Sequence, residues 1–208
     1  MRRKHRSLLY AIVGLVVLAA ATSGHAQAHR MAVFVQSAAT VPTTDLEILR
    51  NYAGQRCAMI TGAQVCSQGH LMQAQRATEV FIGNGVTMDG MRRLAAELGA
   101  DYVVILRVVR WENQISYRPE RSLLLLSATS FLNTTLQLLI TPIGLLFGME
   151  KQATVGLFAT VFTAAGDVRF TTAVTQSDRP VLSLLTADPV EAAKAAINDI
   201  LYQIAVAL

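Results

Sequence analysis

The chain has 208 residues, and its formal charge of +4 is the balance of 18 Lys and Arg against 14 Asp and Glu. Four of the cations, Arg2, Arg3, Lys4 and Arg6, lie in the first six positions, which leaves fourteen against fourteen in the rest of the chain. A neutral body of about 180 residues is the size of one domain with a real core, and the chain's excess of cations gives no argument for nucleic-acid binding, which would need a basic stripe on that body.

The basic start is followed by an apolar run from Leu8 to Ala21 and by Ala26-Gln27-Ala28, a small-x-small cleavage site. These three parts in this order read as a secretory signal over residues 1–28, whose removal leaves His29 first and a single domain over 29–208. The other reading is an uncleaved anchor, but the uncharged run falls short of the about 20 apolar residues a span needs. With no cysteine beside the cleavage site, a lipid-modified N-terminus is not expected.

Met31-Ala32-Val33-Phe34-Val35 is an apolar run of strand length. Thr44-Asp45-Leu46-Glu47 offers a capping box and Gly54 a left-handed stop, so a first helix is expected over Thr44 to Ala53. Cys57 and Cys66 are the chain's two cysteines. In an oxidising compartment they are expected to form a disulfide closing a loop around Thr61-Gly62. Such a staple contributes about 2–3 kcal/mol in the chain-entropy model. A metal site is the poorer alternative, because His70 is the one histidine nearby and tetrahedral zinc takes three or four protein ligands. A short helix near Leu71 to Ala77 and a strand at Glu79 to Ile82 precede the turn at Gly83-Asn84-Gly85.

Thr87 can cap a helix whose apolar positions Met88, Met91, Leu94, Ala95 and Leu98 follow three-four spacing, with Gly99 as its stop. The strand that begins at Tyr102 and runs to Trp111 is apolar on both alternating faces through its first half, which marks it as central and covered on two sides. Thr154 to Thr163 and Val168 to Thr175 are β-rich runs joined by Ala164-Ala165-Gly166-Asp167, the pattern of an antiparallel hairpin. Asp188-Pro189-Val190-Glu191 combines an N-cap, a first-turn proline and a glutamate, and opens a last helix with an apolar stripe from Val190 to Leu208. The predicted fold is α+β: a mixed, mostly antiparallel sheet packed with helices in one domain.

Between the long strand and the hairpin, Ser122 to Met149 carries no charge, while Arg118, Glu120, Arg121, Glu150 and Lys151 flank it. A single span would place the two halves of the sheet on opposite sides of a bilayer, so a lone transmembrane helix is incompatible with one domain. A surface-lying or re-entrant helical insertion over 122–149 is therefore expected. Its membrane or interface residues would be Leu123, Leu124, Leu125, Phe131, Leu138, Leu139, Ile140, Leu145, Leu146 and Phe147. A β-hairpin given to a multimeric pore ranks lower, because Leu123-Leu124-Leu125-Leu126 does not alternate. A buried oligomer interface and a cap on the domain's own core remain open.

No catalytic, cofactor-binding or metal constellation emerges from the residues. His29 and His70 have no adjacent carboxylate or cysteine pattern, and Ser127 and Ser130 lack a nucleophile elbow. An N-terminal His29 could chelate copper, a reading outweighed by that of an ordinary chain end. On an alternating strand Arg107 and Arg110 point to opposite faces. They and Trp111 are the candidates for partner contact, against the plainer reading of a strand end leaving the core with Trp111 closing its edge. A small secreted enzyme or ligand-binding domain with a dispersed site is the alternative function.

The run Leu94-Ala95-Ala96-Glu97-Leu98-Gly99-Ala100-Asp101-Tyr102-Val103-Val104, followed by a hairpin turning at Ala165-Gly166-Asp167 and a closing helix, resembles a group of bacterial envelope proteins. The group includes the curli secretion subunit CsgG, the penicillin-binding-protein activator LpoB and the TolB N-terminal domain; the strand ending in Trp111 also looks like a family of periplasmic lipoproteins. The resemblance covers Met31 to Val35 and Thr87 to Leu208. It implies a non-enzymatic, periplasmic or secreted domain without cofactor that binds envelope proteins or itself. Two departures are the missing lipid-modified cysteine and the apolar insertion, which could supply the membrane contact in its place.

Overall fold

The computed structural model describes residues 29–83, 86–117, 149–179 and 187–208. Residues 1–28, expected to be a secretory signal, and residues 122–148 of the expected apolar insertion lie outside them. Among the described residues nine elements follow one another: β1 (Arg30–Ser37), α1 (Thr43–Thr61), β2 (Gln64–Val65), α2 (Gln68–Thr78), α3 (Met88–Leu98), β3 (Tyr102–Tyr117), β4 (Met149–Thr163), β5 (Val168–Asp178) and α4 (Pro189–Ala207). The strands form one mixed sheet in the order β2-β1-β3-β4-β5, with β1 parallel to both β2 and β3 and the β3-β4-β5 meander antiparallel. The α+β class expected from the pattern is the class observed.

Alternation along β1 and β3 sorts their side chains into two cores. Met31, Val33 and Val35 join Val104, Leu106 and Val108 on the first face, under α1 and α4. Ala32, Phe34, Val103 and Ile105 lie on the second face, under α2 and α3. Both strands are thus covered on two sides, which is why they read as continuous apolar runs. In β4 only the first face keeps that character, through Val155, Leu157, Ala159 and Val161, all fully buried. The second-face core holds no residue of β5 and only Phe162 of β4, packed at its margin, so among the described residues that half of the sheet lies open.

Helix ends follow their capping chemistry where the side chains reach. Thr87 accepts the Gly90 N–H at 3.1 Å to start α3, which ends at Gly99, and Asp188 accepts the Val190 N–H at 2.8 Å to start α4. The first helix departs from expectation at both ends. No side-chain cap opens α1 at Pro42, and the helix runs through Gly54 to stop at Gly62, whose φ is 68°. Leu49, Ala53 and Cys57 are buried at four-residue spacing, so packing on the sheet carries the helix past a glycine whose cost is about 1 kcal/mol. The strand expected at Glu79 to Ile82 does not form; Glu79 takes a left-handed conformation (φ 55°) that ends α2, and the chain turns there.

Two polar brackets join α1 to α4 across the first face. Arg56 Nε donates to Asn198 Oδ1 at 2.9 Å, and Asn198 Nδ2 donates to the Tyr52 hydroxyl at 2.9 Å. The Lys194 ammonium stands 5.7 Å from the centre of the Tyr52 ring.

Candidate functional site

The open half of the second face is where the arginines of β3 lie. Strict alternation puts Arg107 and Arg110 on opposite faces, and the structure corrects this. Register against β4 slips between Val108 and Arg110, so Val109 is an extra residue and Arg107 pairs with Phe158 while Arg110 pairs with Gly156. Both arginines therefore share the second face. Trp111 pairs with Val155 and is packed against the first-face core, so it closes the core's edge and stands apart from the arginines.

Gly156 makes this arrangement possible: a Cβ there would come within 3.1 Å of the Arg110 Cβ and 3.4 Å of a Val109 methyl. Arg110 donates to Glu112 Oε2 at 2.7 Å, and Gln114 Nε2 donates to the same oxygen at 3.2 Å. The hydrogen bond between them, aided by their opposite charges, raises the guanidinium pKa and lowers the carboxyl pKa. Beside this pair run the hydroxyls and amides of Gln152, Thr154 and Ser177, linked at 3.2–3.3 Å. Phe158, 41% exposed, lies beyond them along β4, past Gly156. The surface can hold polar chain or charged groups by hydrogen bonding; among the described residues it presents no nucleophile with a base.

Concavities lie both at this surface and elsewhere. A groove of about 540 Å³ borders the outer edge of β1, between Glu47, Arg50 and Asn51 of α1 and Gln68, Leu71 and Met72 of α2. It exists because β2 ends after two residues, and Arg50 Nε there donates to the Val35 carbonyl at 3.3 Å. A recess of about 120 Å³ beneath Phe158 includes Arg107. His70 contacts Arg30 at 3.4 Å, on neither the groove nor the recess. Among the described residues no three His, Cys, Asp or Glu side chains come together as metal ligands do.

The disulfide expected between Cys57 and Cys66 is not formed. Both thiols are free and buried. Cys57, on α1, belongs to the first-face core, and Cys66, where the chain leaves β2 for α2, belongs to the second. Nine positions of sequence separation place them near each other along the chain, but the sheet lies between their cores.

The expected membrane or interface residues, Leu123, Leu124, Leu125, Phe131, Leu138, Leu139, Ile140, Leu145, Leu146 and Phe147, lie outside the described residues. Their flanks are described. Tyr117 and Met149 are register partners at the end of the β3-β4 ribbon, so the chain leaves the sheet and re-enters it at one place. Among the described residues no helix is long and apolar enough to cross a membrane.

Phe158 and the polar ladder of β4 and β5 are absent from the candidates read from sequence. Their only signal there is a run of Thr, Ser and Gln at period two, shared by any solvated strand face.

No family model matches the chain, and no curated protein matches it. Several solved structures are similar to it at low identity. A lipoprotein from Neisseria meningitidis is 12% identical with a TM-score of 0.45, the match covering 86% of this chain and 99% of that one. The LpoB C-terminal domain from Salmonella enterica is 12% identical with a TM-score of 0.39, over 71% of this chain and 81% of that one. The PelC dodecamer from Paraburkholderia phytofirmans is 11% identical with a TM-score of 0.42, over 85% and 89%. Likeness at this level assigns no partner or activity to this chain.

Proposed function

We propose that the chain is a non-enzymatic adaptor or assembly factor of the bacterial cell envelope, periplasmic or secreted, that binds envelope proteins or itself and touches a membrane through residues 122–149. The observation that carries the reading is the register of the ribbon, in which Tyr117 faces Met149. Both flanks of a charge-free stretch leave one sheet side by side, so the stretch goes out and returns on the same side of any bilayer. A stretch this long and apolar exceeds the patch that soluble monomers leave exposed, and lipid or a protein partner is what covers it. The second-face surface around Arg107, Arg110 and Glu112 is the proposed contact for an envelope protein, since it is polar and uncovered among the described residues.

Replacing residues 122–148 with a short polar loop tests this. The expected product keeps the far-ultraviolet circular dichroism of the parent sheet and moves from the membrane fraction to the soluble one. Unfolding of that variant, together with a parent that fractionates as a soluble monomer, overturns the reading by showing that the segment is ordinary core.

A further inference from the structure

The sheet ends on one side in β5, and its outer edge has no strand neighbour among the described residues. Such an edge pairs with other strands unless charge, proline or a bulge blunts it. β5 carries a bulge only at its start, where Val161 and Phe162 of β4 face Phe170 and Val168. From Phe170 to Ser177 it has no charged residue and no proline, and its register is unbroken.

A second observation lies on the first face of the same edge. The helix α4 is tied over β5 by Thr172 Oγ1 donating to Gln203 Oε1 at 2.7 Å and Gln176 Nε2 donating to Asp199 Oδ2 at 2.5 Å. Beside these ties Tyr202 is 56% exposed and Val206 89%, and with Phe170 they line an apolar groove along the edge. The strand edge offers backbone hydrogen bonds and the helix beside it offers apolar surface.

We propose that β5 pairs antiparallel with the β5 of a second copy, joining two five-stranded sheets into one across a two-fold axis. A two-fold perpendicular to the sheet keeps each face continuous only when residues of equal parity pair. Centring on Ala173 meets this condition. It sets Thr171 against Thr175, Thr172 against Val174, Phe170 against Gln176 and Arg169 against Ser177. Centring one residue on, at Val174, opposes Arg169 to Arg179, and like charges directly opposite destabilise a pair. The Ala173 register is therefore favoured. Because Gln203 is bonded to Thr172, Tyr202 lies level with the strand's centre, and the two copies' tyrosines and Val206 side chains approach across the junction on one face. This pairing does not rest on the membrane reading, and it survives if residues 122–149 prove to be core.

The test is cross-linking of the full chain carrying Ala173→Cys, with Ser177→Cys as control. At the axis the two Ala173 Cα atoms are about 4.5–5.5 Å apart, within disulfide reach, whereas two Ser177 positions are displaced by several residues and lie beyond it. Mild oxidation is expected to give a reducible dimer from the first variant and none from the second. Sedimentation should show a parent dimer, dissociating about tenfold more readily in the double variant Thr171→Lys with Thr175→Lys, which sets lysine against lysine twice. Equal cross-linking of both variants, or a parent that sediments as a monomer at tens of micromolar, overturns the proposal. So does protection of the β5 outer-edge amides from hydrogen exchange in a monomer, which would mean that the chain covers this edge itself.

Discussion

Cys57 shows how burial decides the chemistry of one side chain. It is fully buried in the first-face core, with its sulfur 3.9 Å from both the Met31 sulfur and the Thr61 hydroxyl. Burial disfavours the thiolate and pushes the thiol up to about 11, against a weaker opposing pull from the Thr61 hydroxyl. A group whose pKa is raised on folding holds its full stabilising contribution below the unfolded value and loses it as pH rises towards the folded one. The loss therefore falls between 9.0 and about 11 and amounts to about 2–3 kcal/mol. Urea unfolding of the parent at pH 7 and pH 10.5 should show it, and Cys57→Ala should flatten that difference. Equal pH slopes for the two proteins would show that the thiol is not carrying it. Alkylation distinguishes the free thiols from a bridge: without reductant, both cysteines should label after unfolding.

At the scale of elements, the turn between β4 and β5 does more than reverse the chain. The Gly166 N–H donates to the Thr163 carbonyl at 2.9 Å, and Gly166 takes φ 89°. A Cβ at that position would collide with the Met88 carbonyl and stand 3.3 Å from the Arg92 nitrogen, so the turn is docked against the first turn of α3. Gly166→Ala is expected to cost about 2–4 kcal/mol, from the left-handed backbone and from overpacking together. A urea midpoint unchanged from the parent would refute the docking. The hairpin itself, the Thr87 and Asp188 caps and the two-sided cover of β3 are legible in sequence because each rests on a local rule. What was not legible depends on a second element. The bulge at Val109 leaves no mark on β3, and its nearest signal, Gly156, sits on the partner strand. Gly54 is a plausible stop until α1 is seen packed on the sheet, and Cys57 and Cys66 are plausible partners until they are seen in cores on opposite faces of the sheet.

At the scale of the molecule, the start of the first strand is held by residues from distant parts of the chain. The Arg30 N–H donates to Asp101 Oδ2 at 2.8 Å, and the His29 carbonyl accepts the Gln64 N–H at 2.9 Å. The His29 ring lies 3.7 Å from the same Asp101 carboxylate and meets Tyr102 edge-on with centroids 5.5 Å apart. The small-x-small site places the cut just before His29. The exported product is expected to start at His29 and to have lost the four cations of its leader, leaving equal numbers of acidic and basic side chains. Intact mass and N-terminal sequencing of protein taken from the periplasm or medium measure this directly. A stable product beginning at Met1 would replace the cleaved signal with an anchor. Membrane attachment would then persist after residues 122–148 are replaced, so the two sources of attachment are separable in the same fractionation.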